Sequence, residues 1–335
     1  MRMVGKVLGW LVLVVALGAG GLLAFLAVKK PAMQPPSTEK IEATPARLAR
    51  GRYLTENVAH CLGCHSDFRA DRYALPAKPG TEGQGGFPFD AKLGVPGLVQ
   101  AQNITPDPEH GLGRWSDGEV LRAMREGIKR DGTALFPMMP YQKFRVLSDE
   151  DAKSIVVYLR TLKPIDHAVA PRRLDFPVGL LIKFEPQPLD GPVPDPDPKD
   201  SVAYGRYLAT VGGCVNCHTP IDSKGRPIAG QEYSGGWLMP GPWGRVVSAN
   251  LTPDPENYMG QASREEFIDR FKSLEHLGGE NAPPAPPGKN TVMAWPQLAG
   301  MTREDLGAIY DFLKTLKPIK KKVVAFPDAP ASSTP

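Results

Sequence analysis

Neither sign of charge dominates this sequence, since 40 Lys and Arg residues stand against 36 Asp and Glu residues and the net charge is +4. It also lacks a long basic run interleaved with aromatic residues, so we exclude nucleic acid as a partner. The 35 glycines follow no collagen-like period. With 41% apolar residues and so small a net charge, the chain is not wholly disordered. Its 36 prolines, roughly twice the average usage, predict a globular protein with much of its chain in turns and loops.

A long run without charge lies near the N-terminus, at Leu8 to Val28. As a helix it reaches about 31 Å, which is enough to span the hydrocarbon core of a bilayer. Arg2 and Lys6 precede it, as in a secretory signal, but the run is longer than a usual signal and has no clear cleavage site. We expect residues 1–30 to form an uncleaved transmembrane helix, with a cleaved signal as the alternative, and residues 31–44 to form a polar tether.

The rest of the chain contains an internal repeat. Gly-Arg-Tyr-Leu at 51–54 recurs 154 residues later at 205–208, and Asn-Ile-Thr-Pro-Asp-Pro-Glu at 103–109 matches Asn-Leu-Thr-Pro-Asp-Pro-Glu at 250–256. The two copies predict two domains of one kind. The expected organisation is a first domain at 45–165, a linker at 166–200, a second domain at 201–320 and a C-terminal tail at 321–335.

Helix signals recur at equivalent points of the two units. Ser148 and Thr302, each with Asp three residues later, match the capping box, and an apolar stripe of helical period follows each of them. The repeated Asn-x-Thr-Pro-Asp-Pro segment predicts a turn. No alternating pattern indicates a sheet, so we expect an all-α fold with long loops. Further helices are predicted at each Gly-Arg-Tyr-Leu and at 116–126 and 263–273.

All four cysteines fall in two Cys-x-x-Cys-His motifs at equivalent points of the repeat. Two thiols at this spacing can form thioether bonds to the two vinyl groups of haem, and the adjacent His can bind the iron. A zinc site, a thioredoxin-like redox pair and structural disulfides are weaker interpretations, because both motifs are complete and no βαβ pattern is present. We therefore expect two covalently bound haem c groups. The predicted attachment residues are Cys61, Cys64, Cys214 and Cys217, and the predicted axial histidines are His65 and His218.

Methionine is the candidate for the other axial position of each iron. Met139 and Met293 lie 154 residues apart in Pro-flanked loops before the last helix of each unit, whereas Met138 has no counterpart. A thioether ligand raises the reduction potential and leaves no open position, which favours electron transfer over catalysis. A methionine that only fills the core is the alternative. The expected ligand pairs are His65 with Met139 and His218 with Met293.

With these motifs the chain resembles class I c-type cytochromes, and beyond the anchor it is similar to a tandem dihaem member of that family. The resemblance implies that a glycine of the first helix crosses an aromatic residue of the last, pairing Gly51 with Tyr158 and Gly205 with Phe312. Similarity to the cytochrome c subunits of membrane-bound alcohol and gluconate dehydrogenases lies in 103–109, 114–117 and 136–141. Those subunits carry three haems, whereas this sequence has two haem motifs.

The resemblance implies a carrier of single electrons, possessing no catalytic residues of its own. The expected donor is a dehydrogenase or a quinol-oxidising complex, and the expected acceptor is a soluble cytochrome or a terminal oxidase. Because haem attachment of this type is completed outside the cytoplasm, we expect both haem domains in the bacterial periplasm, bound to the inner membrane by the N-terminal helix. The alternative is a dihaem enzyme, a peroxidase or one similar to thiosulfate dehydrogenase, with one open or labile haem site. Met139 and Met293 argue against it.

Overall fold

The computed structural model describes residues 2–223, 225–241 and 243–327, so the predicted tail from Asp328 onward lies outside the described residues. The α-helices are α1 (Arg2–Val28), α2 (Pro45–Tyr53), α3 (Cys61–Cys64), α4 (Asp117–Glu126), α5 (Tyr141–Phe144), α6 (Asp149–Leu159), α7 (Val178–Leu181), α8 (Ser201–Val211), α9 (Cys214–Cys217), α10 (Tyr258–Gln261), α11 (Arg264–Lys272), α12 (Trp295–Ala299) and α13 (Arg303–Lys314). A π-helical turn follows α2 at Leu54–Val58, and 3-10 turns lie at Ala91–Leu93, Ile182–Phe184, Glu275–Leu277 and Gly279–Asn281.

Helix α1 is apolar on all sides. In an 18-residue window within Met3–Val28 the mean hydropathy is 2.7, and none of that window is buried against the rest of the protein. By length and composition α1 can cross a membrane, although a secretory signal has the same properties.

The segment predicted as a tether lies along the first repeat. The backbone N–H of Ile41 donates to Asp117 Oδ2 at 3.1 Å, and Arg122 Nη1 donates to the carbonyl oxygen of Gln34 at 3.3 Å. Ile41 itself is buried in the hydrophobic core. Contacts at both ends of this segment therefore connect α1 closely to the first repeat.

The predicted helices of both units are present, with caps at the predicted Ser148 and Thr302 and at two serines for which only a helix was predicted. Ser116 and Ser263 cap α4 and α11 with complete capping boxes, in which a glutamate at the third helical position bonds back to the cap. Ser148 and Thr302 cap α6 and α13 by accepting a backbone N–H three residues on. At α6 and α13 only this half of the predicted capping box is formed, because Asp151 and the corresponding Asp305 hold tyrosines of the opposite repeat instead.

Two helix crossings form the frame of the repeats, α2 against α6 and α8 against α13. A Cβ on Gly51 would lie 1.9 Å from the carbonyl oxygen of Ser154, and one on Gly205 would lie 1.8 Å from that of Ala308. The expected neighbour Tyr158 is close to Gly51, with its Cβ 2.9 Å from the same position. Only glycine permits backbones to approach so closely.

The expectation of an all-α fold is not confirmed, since short antiparallel strands occur in both repeats. Strand β1 pairs with β2, which pairs with β3 through Gly97 and Leu174, and β4 pairs with β5 through Leu238 and Val247. These strands have two to four residues, too few to produce an alternating pattern that sequence analysis can detect. Their bounds are β1 (Pro88–Phe89), β2 (Gly97–Gln100), β3 (Arg173–Leu174), β4 (Leu238–Gly241) and β5 (Gly244–Val247).

The two repeats share one hydrophobic core. The π-helical turn after α2 and the middle of α8 both contribute to it, together with the apolar faces of α6 and α13. Its most deeply buried members include Leu54, Val58, Leu147 and Ile155 from the first repeat and Leu208, Met301, Leu306 and Leu313 from the second. The repeats therefore do not form separate cores.

Candidate haem sites

Each pair of cysteines lies on a single helical turn. The thiols of α3 and α9 are all free, and in each pair the first cysteine is partly buried and the second is exposed. The residue before each pair has left-handed backbone, with φ of +37° at His60 and +69° at Gly213. This conformation turns the chain sharply into the motif, so that both thiols project from one short segment.

The histidine after each pair is held by a backbone carbonyl. Nδ1 of His65 lies 2.6 Å from the carbonyl oxygen of Gln102, and Nδ1 of His218 lies 2.7 Å from that of Ala249. A carbonyl can only accept, so Nδ1 carries the proton and the lone pair of Nε2 is free for a metal. Burial lowers the pKa of both imidazoles, which favours the neutral form that binds iron.

Glycines that no sequence motif indicated position these histidines. Gly85 donates its N–H to the carbonyl oxygen of His65 at 2.9 Å, and Gly235 donates to that of His218 at 2.7 Å. Both have positive φ, and a Cβ on Gly235 would lie 2.3 Å from the oxygen of Ala249. The detectable signal is the Gly-Gly pair that each repeat has at this point.

The two candidate methionines occupy equivalent turns. The carbonyl oxygen of Met139 accepts the N–H of Tyr141 at 2.8 Å, and that of Met293 accepts the N–H of Trp295 at 2.7 Å, at the starts of α5 and α12. Both side chains are partly buried against the shared core, as are Cys61 and Cys214. Each methionine and the first cysteine of each motif therefore pack against the shared core.

The repeated Asn-x-Thr-Pro-Asp-Pro segments form the predicted turns. In each, the asparagine Oδ1 accepts from the threonine two residues on, and its Nδ2 donates to a carbonyl oxygen after the last helix, from Asn103 to Ile165 and from Asn250 to Ile319, both at 2.8 Å. Both asparagines are buried. They fasten the loop that holds the histidine to the end of each repeat.

The two motifs lie next to each other in space. His60, directly before the first motif, has Nε2 3.3 Å from the carbonyl oxygen of Gly212, two residues before the second. Tyrosines of the repeated Gly-Arg-Tyr-Leu segments hold this arrangement reciprocally: Tyr53 O–H donates to Asp305 Oδ2 at 2.7 Å, and Tyr207 O–H donates to Asp151 Oδ2 at 2.5 Å.

The side chains present fit covalently attached haem. Each repeat offers two free thiols on one helical turn and a neutral imidazole with Nε2 available, and a methionine thioether packs on the same core. A zinc site formed from both motifs has less support than covalently attached haem. The metal-compatible cluster in the described part of the chain, Asp107, His110 and Asp166, contains no cysteine.

Comparison with known proteins identifies cytochrome c subunits of dehydrogenases among the relatives of this chain. The cytochrome c subunit of alcohol dehydrogenase (quinone) from Gluconacetobacter polyoxogenes is 30% identical over 301 residues, covering 83% of this chain and 58% of the relative. The gluconate 2-dehydrogenase cytochrome c subunit of Pantoea cypripedii is 27% identical over 297 residues, covering 82% of this chain and 60% of the relative.

A third relative is named as a dihaem protein. The diheme cytochrome c-type protein of Cereibacter sphaeroides is 30% identical over 192 residues, which is 56% of this chain and 64% of the relative. No family model matches the chain. The chain spans little more than half the length of the alcohol dehydrogenase subunit. These relatives confirm the resemblance to dehydrogenase cytochrome c subunits and support covalently bound haem c.

Proposed function

Because the chain is a homologue of the cytochrome c subunits of dehydrogenases, we propose that it is a membrane-anchored dihaem electron carrier that transfers one electron at a time. The observation that carries the proposal is the pair of Cys-x-x-Cys-His turns, each with its histidine Nδ1 bonded to a backbone carbonyl. The proposed haem domains are the repeats at 45–165 and 201–320.

Four cysteines would hold the two haems, with Cys61 and Cys64 in the first repeat and Cys214 and Cys217 in the second. The axial ligands would be His65 with Met139, and His218 with Met293. Bound haem supplies an iron that cycles between Fe(III) and Fe(II). The chain's own residues fix the two imidazoles through Gln102 and Ala249, place the first cysteine of each motif against the apolar core and keep the two attachment points adjacent.

The names of the relatives support a dehydrogenase as electron donor, and a quinol-oxidising complex would serve the same role. The acceptor would be a soluble cytochrome or a terminal oxidase. Helix α1 would hold the protein in the bacterial inner membrane, with the N-terminus in the cytoplasm and both repeats in the periplasm.

An absorption spectrum of the reduced full-length protein, with haem quantified per chain, tests this proposal. We expect two low-spin c haems whose spectrum carbon monoxide leaves unchanged, because both sixth positions are filled. A shift of one haem in the wild-type protein would overturn the carrier assignment and indicate the dihaem enzyme, with an open or labile site.

Variants assign the ligands. Met293→Ala should open one haem to carbon monoxide, and the matched variant Met139→Ala should open the other. The double variant Cys61→Ala, Cys64→Ala should contain one haem per chain. A Met293→Ala protein that still excludes carbon monoxide would refute this ligand, and two haems in the cysteine variant would refute the attachment scheme.

A further inference from the structure

Three large apolar side chains are exposed in the linker between the repeats. Phe176 is 75% exposed, Leu181 is 48% exposed and Phe184 is 47% exposed, whereas Ile182 between them is only 4% exposed. Ile182 thus anchors the turn to the protein while its neighbours face outward. So much exposed aromatic and aliphatic surface in a short segment is unfavourable in water.

The segment that carries these side chains is fixed to the first repeat. On its N-terminal side, β3 pairs with β2 and the N–H of Asp175 donates to the carbonyl oxygen of Pro96 at 3.1 Å. On its C-terminal side, Gln142 Nε2 donates to Glu185 Oε2 at 2.9 Å and Arg145 Nη2 donates to the carbonyl oxygen of Pro188 at 3.0 Å. These contacts fix the segment to the first repeat, so its exposed side chains form a surface of defined position, which we call the linker patch (Phe176–Phe184).

The linker patch also touches the end of α1. Lys183 Nζ donates to the carbonyl oxygens of Leu26 at 3.0 Å and Ala27 at 2.8 Å, which belong to the last turn of the helix. A cation at this position satisfies carbonyls that lack a partner within the helix and interacts favourably with its dipole. The contact fixes the linker patch at the level where α1 ends.

That level is the surface of the membrane if α1 spans it. The uncharged run Leu8 to Val28 is about 31 Å long, close to the roughly 30 Å of the hydrocarbon core, and Lys29 and Lys30 follow it, so the last turn of α1 lies where the hydrocarbon core meets the lipid headgroups. Phe and Leu side chains of interfacial segments are buried at this depth, and a lysine there keeps its ammonium in the polar layer.

We propose that the linker patch binds the lipid surface of the membrane into which α1 inserts, and so holds the first repeat against it; this inference rests on the proposed anchoring by α1. Lipid fits better than a protein partner because the patch continues the exposed apolar surface of α1. Three side chains also expose much less than the roughly 800 Å² that each partner buries in a stable protein interface.

Photolabelling of the full-length protein in phosphatidylcholine vesicles that contain a diazirine-bearing phosphatidylcholine tests this inference. We expect lipid adducts on peptides of α1 and on the peptide that covers Phe176 to Phe184, located by mass spectrometry. Ile228 in the second repeat is 41% exposed and provides an internal reference. Its peptide should show only background labelling.

A triple variant, Phe176→Asp, Leu181→Asp and Phe184→Asp, should lower labelling of the linker patch by about tenfold, because charge opposes burial in the interface. The matched variant Ile228→Asp should leave it unchanged, and an unaltered haem spectrum would show that both variants fold. Labelling of α1 with only background labelling of the linker patch would overturn the inference and leave the anchoring intact. Absence of lipid adducts on both would overturn the anchoring, and the inference with it.

Discussion

At the scale of single residues, one difference between the repeats makes their reciprocal contacts unequal. Arg50 of the first repeat is replaced by Tyr204 at the equivalent position of the second. Arg50 donates two hydrogen bonds of 2.8 Å to Asp151, and although burial opposes the charge, the bonds to Asp151 and its negative charge raise the pKa of Arg50. Asp305, the counterpart of Asp151, forms no ion pair with any residue that the structure describes, and it accepts the O–H of Tyr53.

This difference predicts unequal effects of two matched substitutions. Asp151→Asn should lower the free energy of unfolding by about 2 to 3 kcal/mol, because Arg50 loses its counter-charge and one of the two carboxylate oxygens that accept from Arg50 and Tyr207 becomes an amide NH₂ donor. Asp305→Asn should lower it by less than about 1 kcal/mol, since the amide oxygen can still accept from Tyr53. Guanidinium unfolding followed by circular dichroism measures both, and equal losses would contradict the asymmetry.

At the scale of elements, the glycine crossings control the packing of each repeat. Gly51→Ala and Gly205→Ala should each lower the free energy of unfolding by about 1 to 3 kcal/mol, because the new methyl group meets a backbone carbonyl that no change of rotamer can move. This loss exceeds the gain of up to about 1 kcal/mol that alanine has over glycine in helix propensity. As a control, Gly179→Ala in α7 would place a methyl group 3.7 Å from Leu174 and should have little effect. Thermal unfolding compares the three, and a neutral Gly51→Ala would disprove the close crossing.

Among the elements of this fold, the helices can be predicted from sequence and the short strands cannot. The helices capped by Ser116, Ser148, Ser263 and Thr302 were predicted correctly, because a cap and an apolar stripe are local signals. The strands were not predicted. Strand β3 comes from the linker and pairs with β2 more than 70 residues earlier, so a short stretch becomes a strand only through a distant partner.

At the scale of the whole molecule, the candidate ligands can be predicted from the sequence, but the contacts between the two repeats cannot. The repeated Gly-Arg-Tyr-Leu showed that Tyr53 and Tyr207 are equivalent, yet nothing local indicates that each bonds an aspartate of the other repeat. Burial, followed by the charge of Asp151 and the hydrogen bond to it, raises the pKa of Tyr207, so this tyrosine remains a donor at neutral pH. The shared core and the contact of His60 with Gly212 then place the two haem motifs side by side.

This arrangement predicts that the two repeats unfold as one cooperative unit. In guanidinium, the haem absorbance and the helical circular dichroism of the wild-type protein should change together. The double variant Tyr53→Phe, Tyr207→Phe removes both reciprocal hydrogen bonds, which contribute about 1 kcal/mol each. It also leaves the buried Asp305 without the hydrogen bond from Tyr53. The haem absorbance and the circular dichroism should therefore change at different guanidinium concentrations. Tyr310→Phe removes one bond inside the second repeat, to Ala262, and should lower the midpoint while the signals stay coincident. If the signals of the double variant also coincide, hydrophobic contact alone joins the repeats, and the tyrosines do not couple the two haem sites.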